Sequence, residues 1–113
     1  MLNEIEKKAV GELIEKLKET YGENLVKVIL YGSKARGNST EDSDIDIMII
    51  LRDFKNKVEE IKKVSAIVSS INFIYEVFIS PVILRKNDYE TGNLLLVRNV
   101  IKEGFDLWMN QIN

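Results

Sequence analysis

Two aspartates, Asp44 and Asp46, precede and interrupt an apolar run and have the clearest capacity for chemistry in this chain. Side chains two positions apart on a β-strand point to the same face, so the two carboxylates are predicted to lie side by side. Neighbouring carboxylates repel each other, and partial burial adds to that cost. A divalent cation relieves both costs. The pair therefore predicts a metal site at the mouth of a buried strand.

The composition narrows the choice of metal. The chain of 113 residues contains no cysteine and no histidine, so thiolate and imidazole ligands are both excluded. Ligands that are all oxygen favour magnesium, with manganese as the alternative. Without histidine the most common general base is also missing, which leaves catalysis by positioning and charge neutralisation.

A second polar segment, Gly-Ser-Lys-Ala-Arg at residues 32–36, is predicted to bind phosphate. Gly32 follows an apolar strand and lets the backbone approach a ligand closely, and amides at the start of a helical turn attract phosphate. The hydroxyl of Ser33 adds a hydrogen bond, and Lys34 and Arg36 add positive charge. With a cation opposite, this segment predicts a site for a nucleoside triphosphate.

These residues must be positioned by a mixed sheet with helices packed against it, a fold of the α/β (α+β) class. Strands are predicted at residues 26–31, 44–51 and 72–79, with a possible edge continuation at 82–84 after the Ser80-Pro81 interruption. Helices are predicted at residues 3–20, 55–70 and 93–103. Asp53 is predicted to cap the second of these helices, and Val58 and Ile61 to face the core.

Length and charge limit the organisation of the chain. Its length suits one compact domain, predicted to span residues 1–113. The net charge of −2 provides no broad basic field, so strong nucleic-acid binding is not expected. The start of the chain lacks a targeting pattern, and no apolar run is long enough for a membrane span. A cytoplasmic protein is therefore predicted.

The carboxy-terminal segment 105–109, Phe-Asp-Leu-Trp-Met, is unusually apolar. Two readings are open: a short strand that packs on the core, or a docking surface for a second protein. The second reading would make a homo- or hetero-oligomer the expected state.

The segment 28–50 resembles the signature of the DNA polymerase β-like nucleotidyltransferase superfamily, namely an apolar strand, Gly-Ser, and Asp-x-Asp in a strand. Its details, GSKARG at 32–37 and SDIDI at 43–47, resemble the minimal nucleotidyltransferases, with ten residues between Ser33 and Asp44. The segments 79–83 and 100–105 also look like that subgroup.

This resemblance implies a polymerase β-like nucleotidyltransferase fold and a matching reaction. A nucleoside monophosphate, with AMP from ATP favoured, would pass to a hydroxyl group of a partner protein with release of pyrophosphate. Gly32 and Ser33 would bind the triphosphate, and Asp44 and Asp46 would bind two Mg²⁺ ions. The implied partner is a HEPN-domain protein, which this chain would neutralise as the antitoxin of a toxin-antitoxin pair.

One departure from the family concerns the third carboxylate that active members bring from a neighbouring strand. Glu76 is the only acidic residue in the predicted third strand, and it is the candidate for a catalytic and metal-binding role. The alternative is a surface glutamate with no role in the site, because the pattern alone does not fix which face of a strand it occupies.

Three functions therefore stay open at this stage. The first is a Mg²⁺-dependent nucleotidyltransferase that modifies a partner protein. The second is a non-catalytic antitoxin or scaffold that neutralises a HEPN-like partner by binding alone. The third is a nucleotide sensor, which is favoured if Glu76 is not a ligand. Replacing both aspartates by asparagine distinguishes the first two.

Overall fold

A four-stranded mixed sheet forms the centre of the structure, a computed structural model that describes residues 2–37 and 43–111. The strands are β1 (Leu25–Tyr31), β2 (Ile45–Leu51), β3 (Ile79–Arg85) and β4 (Phe105–Met109), in the spatial order β3-β2-β1-β4. Strand β1 is antiparallel to both β2 and β4, whereas β2 and β3 run parallel. The predicted mixed sheet is confirmed.

Helices cover the two faces of this sheet unequally. They are α1 (Glu4–Tyr21), α2 (Ser33–Arg36), α3 (Lys57–Tyr75), α4 (Lys86–Thr91) and α5 (Leu95–Glu103). The long helices α1 and α3 pack on one face and bury residues such as Leu13 and Val64 against the sheet. The shorter α5 packs on the other face, where Val97 and Val100 contact a smaller apolar cluster.

The alternation along β2 decides which face carries the aspartates. Ile45 and Ile47 belong to the cluster beneath α1 and α3, whereas Met48 and Ile50 belong to the cluster beneath α5. Asp46 has the same parity as Met48, so its side chain projects to the α5 face. There the short helices leave the end of the sheet open.

The predicted strand at residues 72–79 is wrong over most of its length. Helix α3 continues to Tyr75, and Glu76 ends it in a left-handed conformation at φ 53°. Strand β3 begins only at Ile79 and includes Pro81, which an edge strand tolerates. The end of α3 is rich in aromatic and β-branched residues, which are typical of strands, and this composition led to the prediction of a strand. In the structure Phe73 and Ile74 are both exposed, so successive side chains do not alternate between two layers as they would in a strand.

The predicted start of α3 is also corrected. Asn56, not Asp53, is the cap, and its side-chain oxygen accepts hydrogen bonds from the amides of Val58 and Glu59. Asp53 instead accepts hydrogen bonds from the Phe54 amide and from Arg85 Nε. The buried face of α3 consists of Glu60, Val64, Val68 and Ile71.

As a result, two residues expected in the core are exposed. The exposed fractions are 60% for Val58 and 45% for Ile61, whereas Val64 and Val68 are buried as predicted.

The carboxy-terminal segment 105–109 forms an edge strand. Leu107 and Trp108 pack against the larger core cluster, while Phe105 and Met109 are exposed. Of the two readings of this segment, the short strand is confirmed. In the described ranges 2–37 and 43–111, no helix combines the length and the apolar character needed to cross a bilayer.

Candidate active site at the open end of the sheet

The candidate site lies where β1 ends and where β2 and β3 begin. Asp46 is opposite Tyr31 in the antiparallel β1–β2 pair, and it is in register with Ser80 in the parallel β2–β3 pair. Asp44 precedes the strand, and its Oδ2 accepts a hydrogen bond of 3.0 Å from Ser80 Oγ. The structure therefore brings both predicted aspartates to one edge, as the i, i+2 spacing indicated.

The aspartates form an electrostatically strained pair. Burial raises the pKa of Asp46 above its ordinary value, the negative charge of Asp44 raises it further, and the positive charge of Arg36 acts in the opposite direction. The pKa of Tyr31 is raised by burial and then by the charge of Asp46. Cation binding between the carboxylates would remove the repulsion.

Gly32 brings the backbone of the predicted phosphate segment against Asp46. It has φ of +76°, a conformation that residues with a side chain rarely adopt, and a Cβ atom added there would overlap the Asp46 carboxylate. The position therefore requires glycine for two reasons: the backbone angle and the close approach to Asp46.

Helix α2 follows Gly32 immediately and consists of a single turn. Its bonds run from the Arg36 amide to the Gly32 oxygen at 3.1 Å and from the Gly37 amide to the Ser33 oxygen at 3.0 Å. Ser33 is half-buried at the first position of this turn. The predicted helical turn after Gly-Ser is confirmed.

Lys34 does not have the surroundings expected of a phosphate-binding cation. Only 3% of it is exposed, and its Nζ lies 2.8 Å from Glu6 Oε2. Glu6 also accepts a hydrogen bond from the Asn3 amide as part of the capping box of α1. Burial opposes ionisation of Glu6, but the hydrogen bonds from Lys34 and Asn3 outweigh it, so the pKa of Glu6 lies below its ordinary value. Lys34 therefore attaches α2 to the start of α1.

We expect that replacing Lys34 by methionine lowers the free energy of unfolding by about 3 kcal/mol, because Glu6 then stays buried without its charged partner. The double variant Glu6→Gln, Lys34→Met removes both charges and should recover most of that loss. Urea unfolding of the three proteins measures the difference. Unchanged stability of Lys34→Met, together with weaker nucleotide binding, would instead support the predicted phosphate contact.

Arg36 is the exposed cation of the segment. Its Nη1 lies 3.2 Å from Glu103 Oε2 near the end of α5. The two side chains border a cavity of about 280 Å³ on the α5 face, lined by Tyr31, Gly32, Arg36, Leu96, Asn99 and Glu103. This cavity adjoins the phosphate segment.

Glu76 lies outside the strand on which it was predicted. It occupies the turn after α3 and borders a second cavity that Ser43 and Phe78 also line. Within the ranges 2–37 and 43–111, no group of three or more acidic, histidine or cysteine side chains is arranged to bind a metal ion. The structure therefore pairs Asp44 with Asp46 but does not add Glu76 to them. The predicted polar turn includes residues 38–42, which lie outside the described residues.

Sequence reasoning missed three residues of the site: Ser80, Asn99 and Glu103. Ser80 was treated as an interruption before Pro81, although a residue before proline is biased towards extended backbone and so towards the start of a strand. Asn99 and Glu103 are four residues apart on α5 and share a face, a spacing that could have identified them as neighbours. Their proximity to Arg36 depends on how α5 crosses the sheet.

Known proteins resemble this chain in sequence and in fold. Residues 10–103 match the family model described as nucleotidyltransferase domain. "Putative protein adenylyltransferase MJ1305" of Methanocaldococcus jannaschii is 34% identical over 89 residues, which are 78% of this chain and 58% of that protein. The chain thus spans less than two thirds of that relative.

Two solved structures are similar in fold. One is a "putative nucleotidyltransferase from Sulfolobus solfataricus", with a TM-score of 0.69 and 22% identity, covering 94% of this chain and 82% of that one. The other is the "tri-AMPylated Shewanella oneidensis HEPN toxin in complex with MNT antitoxin", with a TM-score of 0.56 and 19% identity, covering 91% of this chain and 75% of that one. At these identities the likeness establishes the shared fold.

Proposed function

Because the chain belongs to the nucleotidyltransferase domain family, we propose that it transfers a nucleoside monophosphate from a nucleoside triphosphate to a hydroxyl group of a partner protein. In that reaction the hydroxyl oxygen bonds to the α-phosphorus, the bond to the β-phosphate breaks, and pyrophosphate and a proton are released. The observation that carries the proposal is the pair of Asp44 and Asp46, of which Asp46 lies against Gly32 at the end of the sheet.

Asp44 and Asp46 are the residues proposed to bind Mg²⁺, with Mn²⁺ as a substitute. The fit rests on the chemistry of the donors: two repelling carboxylates and a neighbouring hydroxyl offer only oxygen, which suits a hard cation. When bound, such a cation neutralises phosphate charge and activates the attacking hydroxyl. Titration with Mn²⁺ counts the ions, which the family resemblance puts at two.

The nucleotide is proposed to place its phosphates along Gly32 and Ser33, with Arg36 supplying positive charge. The adjoining cavity beneath α5 then receives the nucleoside, and Arg36 exchanges Glu103 for a phosphate oxygen when the site fills. ATP is the favoured nucleotide, because the M. jannaschii relative is named as an adenylyltransferase and the similar S. oneidensis complex contains an AMPylated toxin.

A HEPN-domain protein is the proposed partner, with this chain as the antitoxin. The S. oneidensis complex pairs a similar fold with a HEPN toxin. In addition, Phe73 and Phe78 are 85% and 70% exposed, and the Phe78 oxygen accepts a hydrogen bond from the amide of Ile45, between the two aspartates. Exposed apolar surface of this kind is typical of a protein interface.

A second candidate function is neutralisation of the partner by binding alone. The observation that favours it is β3, which carries Ser80 where active family members are expected to carry a third carboxylate. Among the residues that the structure describes, Asp44 and Asp46 alone offer carboxylates to the proposed cation site, so nucleotide binding without efficient transfer is the physical alternative. That alternative includes the nucleotide sensor.

The test is transfer of label from α-³²P nucleoside triphosphates, each supplied separately with Mg²⁺, to proteins in an extract of the source organism. A labelled protein band is expected with ATP and is expected to be absent with the Asp44→Asn, Asp46→Asn double variant. If no nucleotide labels any protein, while wild type and double variant neutralise the partner equally, the binding-only function replaces the enzyme.

A further inference from the structure

Strand β3 carries no carboxylate, yet it brings one polar side chain to the aspartate pair. Ser80 is in parallel register with Asp46, and its Oγ donates a 3.0 Å hydrogen bond to Oδ2 of Asp44. Residues in register on parallel strands point to the same face, so the serine and both carboxylates face the α5 side of the sheet. Ser80 thus occupies the place on the neighbouring strand from which a third ligand would reach the cation.

The backbone on both sides of Ser80 is fixed. The side-chain amide of Asn72 binds both polar groups of the preceding residue: Oδ1 accepts from the Ile79 amide at 2.9 Å, and Nδ2 donates to the Ile79 oxygen at 3.3 Å. The following residue, Pro81, restricts Ser80 to an extended conformation. A side chain anchored in this way can orient its neighbour at little further cost in conformational entropy.

We propose that Ser80 is the positioning residue of the cation site, where it orients Asp44 and replaces the third carboxylate with a neutral oxygen. This inference rests on the proposed function, in which Asp44 and Asp46 bind the cation. The serine hydroxyl has a single donor, which it uses on Asp44, and two acceptor lone pairs. Mutation of a partner that orients a metal ligand typically lowers metal affinity by about 10- to 100-fold.

The replacement has a consequence for charge. A site with two carboxylates and a hydroxyl has one negative charge fewer than a site with three carboxylates. It therefore has less internal repulsion when empty and a weaker attraction for the cation when filled. The expected result is a site whose occupancy follows the surrounding Mg²⁺ concentration.

The experiment is a titration of the full chain with Mn²⁺, in which the electron paramagnetic resonance signal of free Mn²⁺ reports the dissociation constant without any turnover. Ser80→Ala is expected to raise the dissociation constant about 10-fold. Ser80→Thr keeps the hydroxyl and should restore nearly wild-type affinity, while Ser80→Asp supplies a third carboxylate and should lower the constant. Ser70→Ala, on the exposed side of α3, is the matched control.

The outcomes separate this inference from the function on which it rests. If wild type binds Mn²⁺ and Asp44→Asn does not, but Ser80→Ala binds as wild type does, the role of Ser80 is overturned and the cation site stands. If wild type binds no Mn²⁺, both are overturned. Unfolding in the presence of EDTA confirms that each variant is folded before it is titrated.

Discussion

Replacing Asp46 by asparagine is expected to abolish nucleotide transfer and, at the same time, to stabilise the cation-free protein. In the proposed function the cation would lose one of its two proposed carboxylate ligands, a change expected to reduce the rate of transfer by about 100-fold or more. Stability rises because the variant removes the repulsion between Asp44 and Asp46 and the cost of burying a charge. Opposite effects on activity and stability are the signature of a functional site.

The stabilisation depends on pH in a defined direction. Burial and the neighbouring charge of Asp44 raise the pKa of Asp46 in the folded chain above its ordinary value. The stabilising contribution of such a group is present below the unfolded-state pKa and is lost as pH rises through the folded-state pKa. The advantage of Asp46→Asn over wild type is therefore expected at neutral pH and should shrink as the pH falls through the raised folded-state pKa of Asp46, where the wild-type carboxyl becomes protonated.

Thermal unfolding in EDTA measures the stability of the cation-free variant, and thermal unfolding in Mg²⁺ measures whether the variant still binds the cation. In EDTA the variant should melt above wild type at neutral pH, and added Mg²⁺ should raise the midpoint of wild type only. Asp88→Asn, an exposed acid on α4 and outside the site, provides the control for loss of one negative charge. A variant that melts below wild type in EDTA, or that still responds to Mg²⁺, would contradict the assigned role.

Replacing Gly32 by alanine is expected to be the most damaging change of a single small residue. Gly32 has φ +76° and ψ −156°, a conformation that glycine alone adopts readily and that costs a residue with a side chain about 1–3 kcal/mol. The new methyl group must also displace the Asp46 carboxylate, because a Cβ at this position overlaps it. Stability and cation binding should therefore fall together.

Gly37→Ala provides a matched control. Gly37 also has a positive φ, +78°, but its ψ of 13° puts it in the left-handed helical region, where alanine is less strained than at Gly32, and a Cβ there meets nothing within 4 Å. It should therefore lose stability from backbone strain alone and retain Mn²⁺ affinity. Urea unfolding and Mn²⁺ titration of the two variants separate strain from the contact with Asp46. Equal Mn²⁺ affinity in Gly32→Ala and Gly37→Ala would exclude the displacement of Asp46.

The parts of the site that the sequence predicted are those encoded by local pattern. Asp44 and Asp46 share a face because side chains two positions apart on a strand point the same way. Gly32 marks the end of the preceding strand because glycine readily adopts the positive φ that the chain needs there. The family resemblance added the expected order of elements. Each of these inferences depends on residues close together along the chain.

The errors lie where a side chain has to be placed by distant parts of the chain. Whether residues 72–75 end a helix or begin a strand depends on packing, because exposed Phe73 and Ile74 suit either pattern. That error placed Glu76 on a strand and left Ser80 unnoticed. The ion pair of Lys34 with Glu6 on α1 was likewise not predicted, because nothing nearby in the sequence indicates that contact.

The hydrogen bond between Ser80 and Asp44 has a consequence for how the site comes into being. The two residues are 36 positions apart and meet only after α3 has carried the chain from β2 to its parallel neighbour β3. Consider a partly folded chain in which β1 and β2 have paired but β3 has not yet docked. Both aspartates are then in place at β2, but the site is incomplete because Ser80 is absent from it. A cation that binds only the assembled site shifts the equilibrium towards complete folding by mass action. Cellular magnesium would then influence how long this protein survives, in addition to how fast it works.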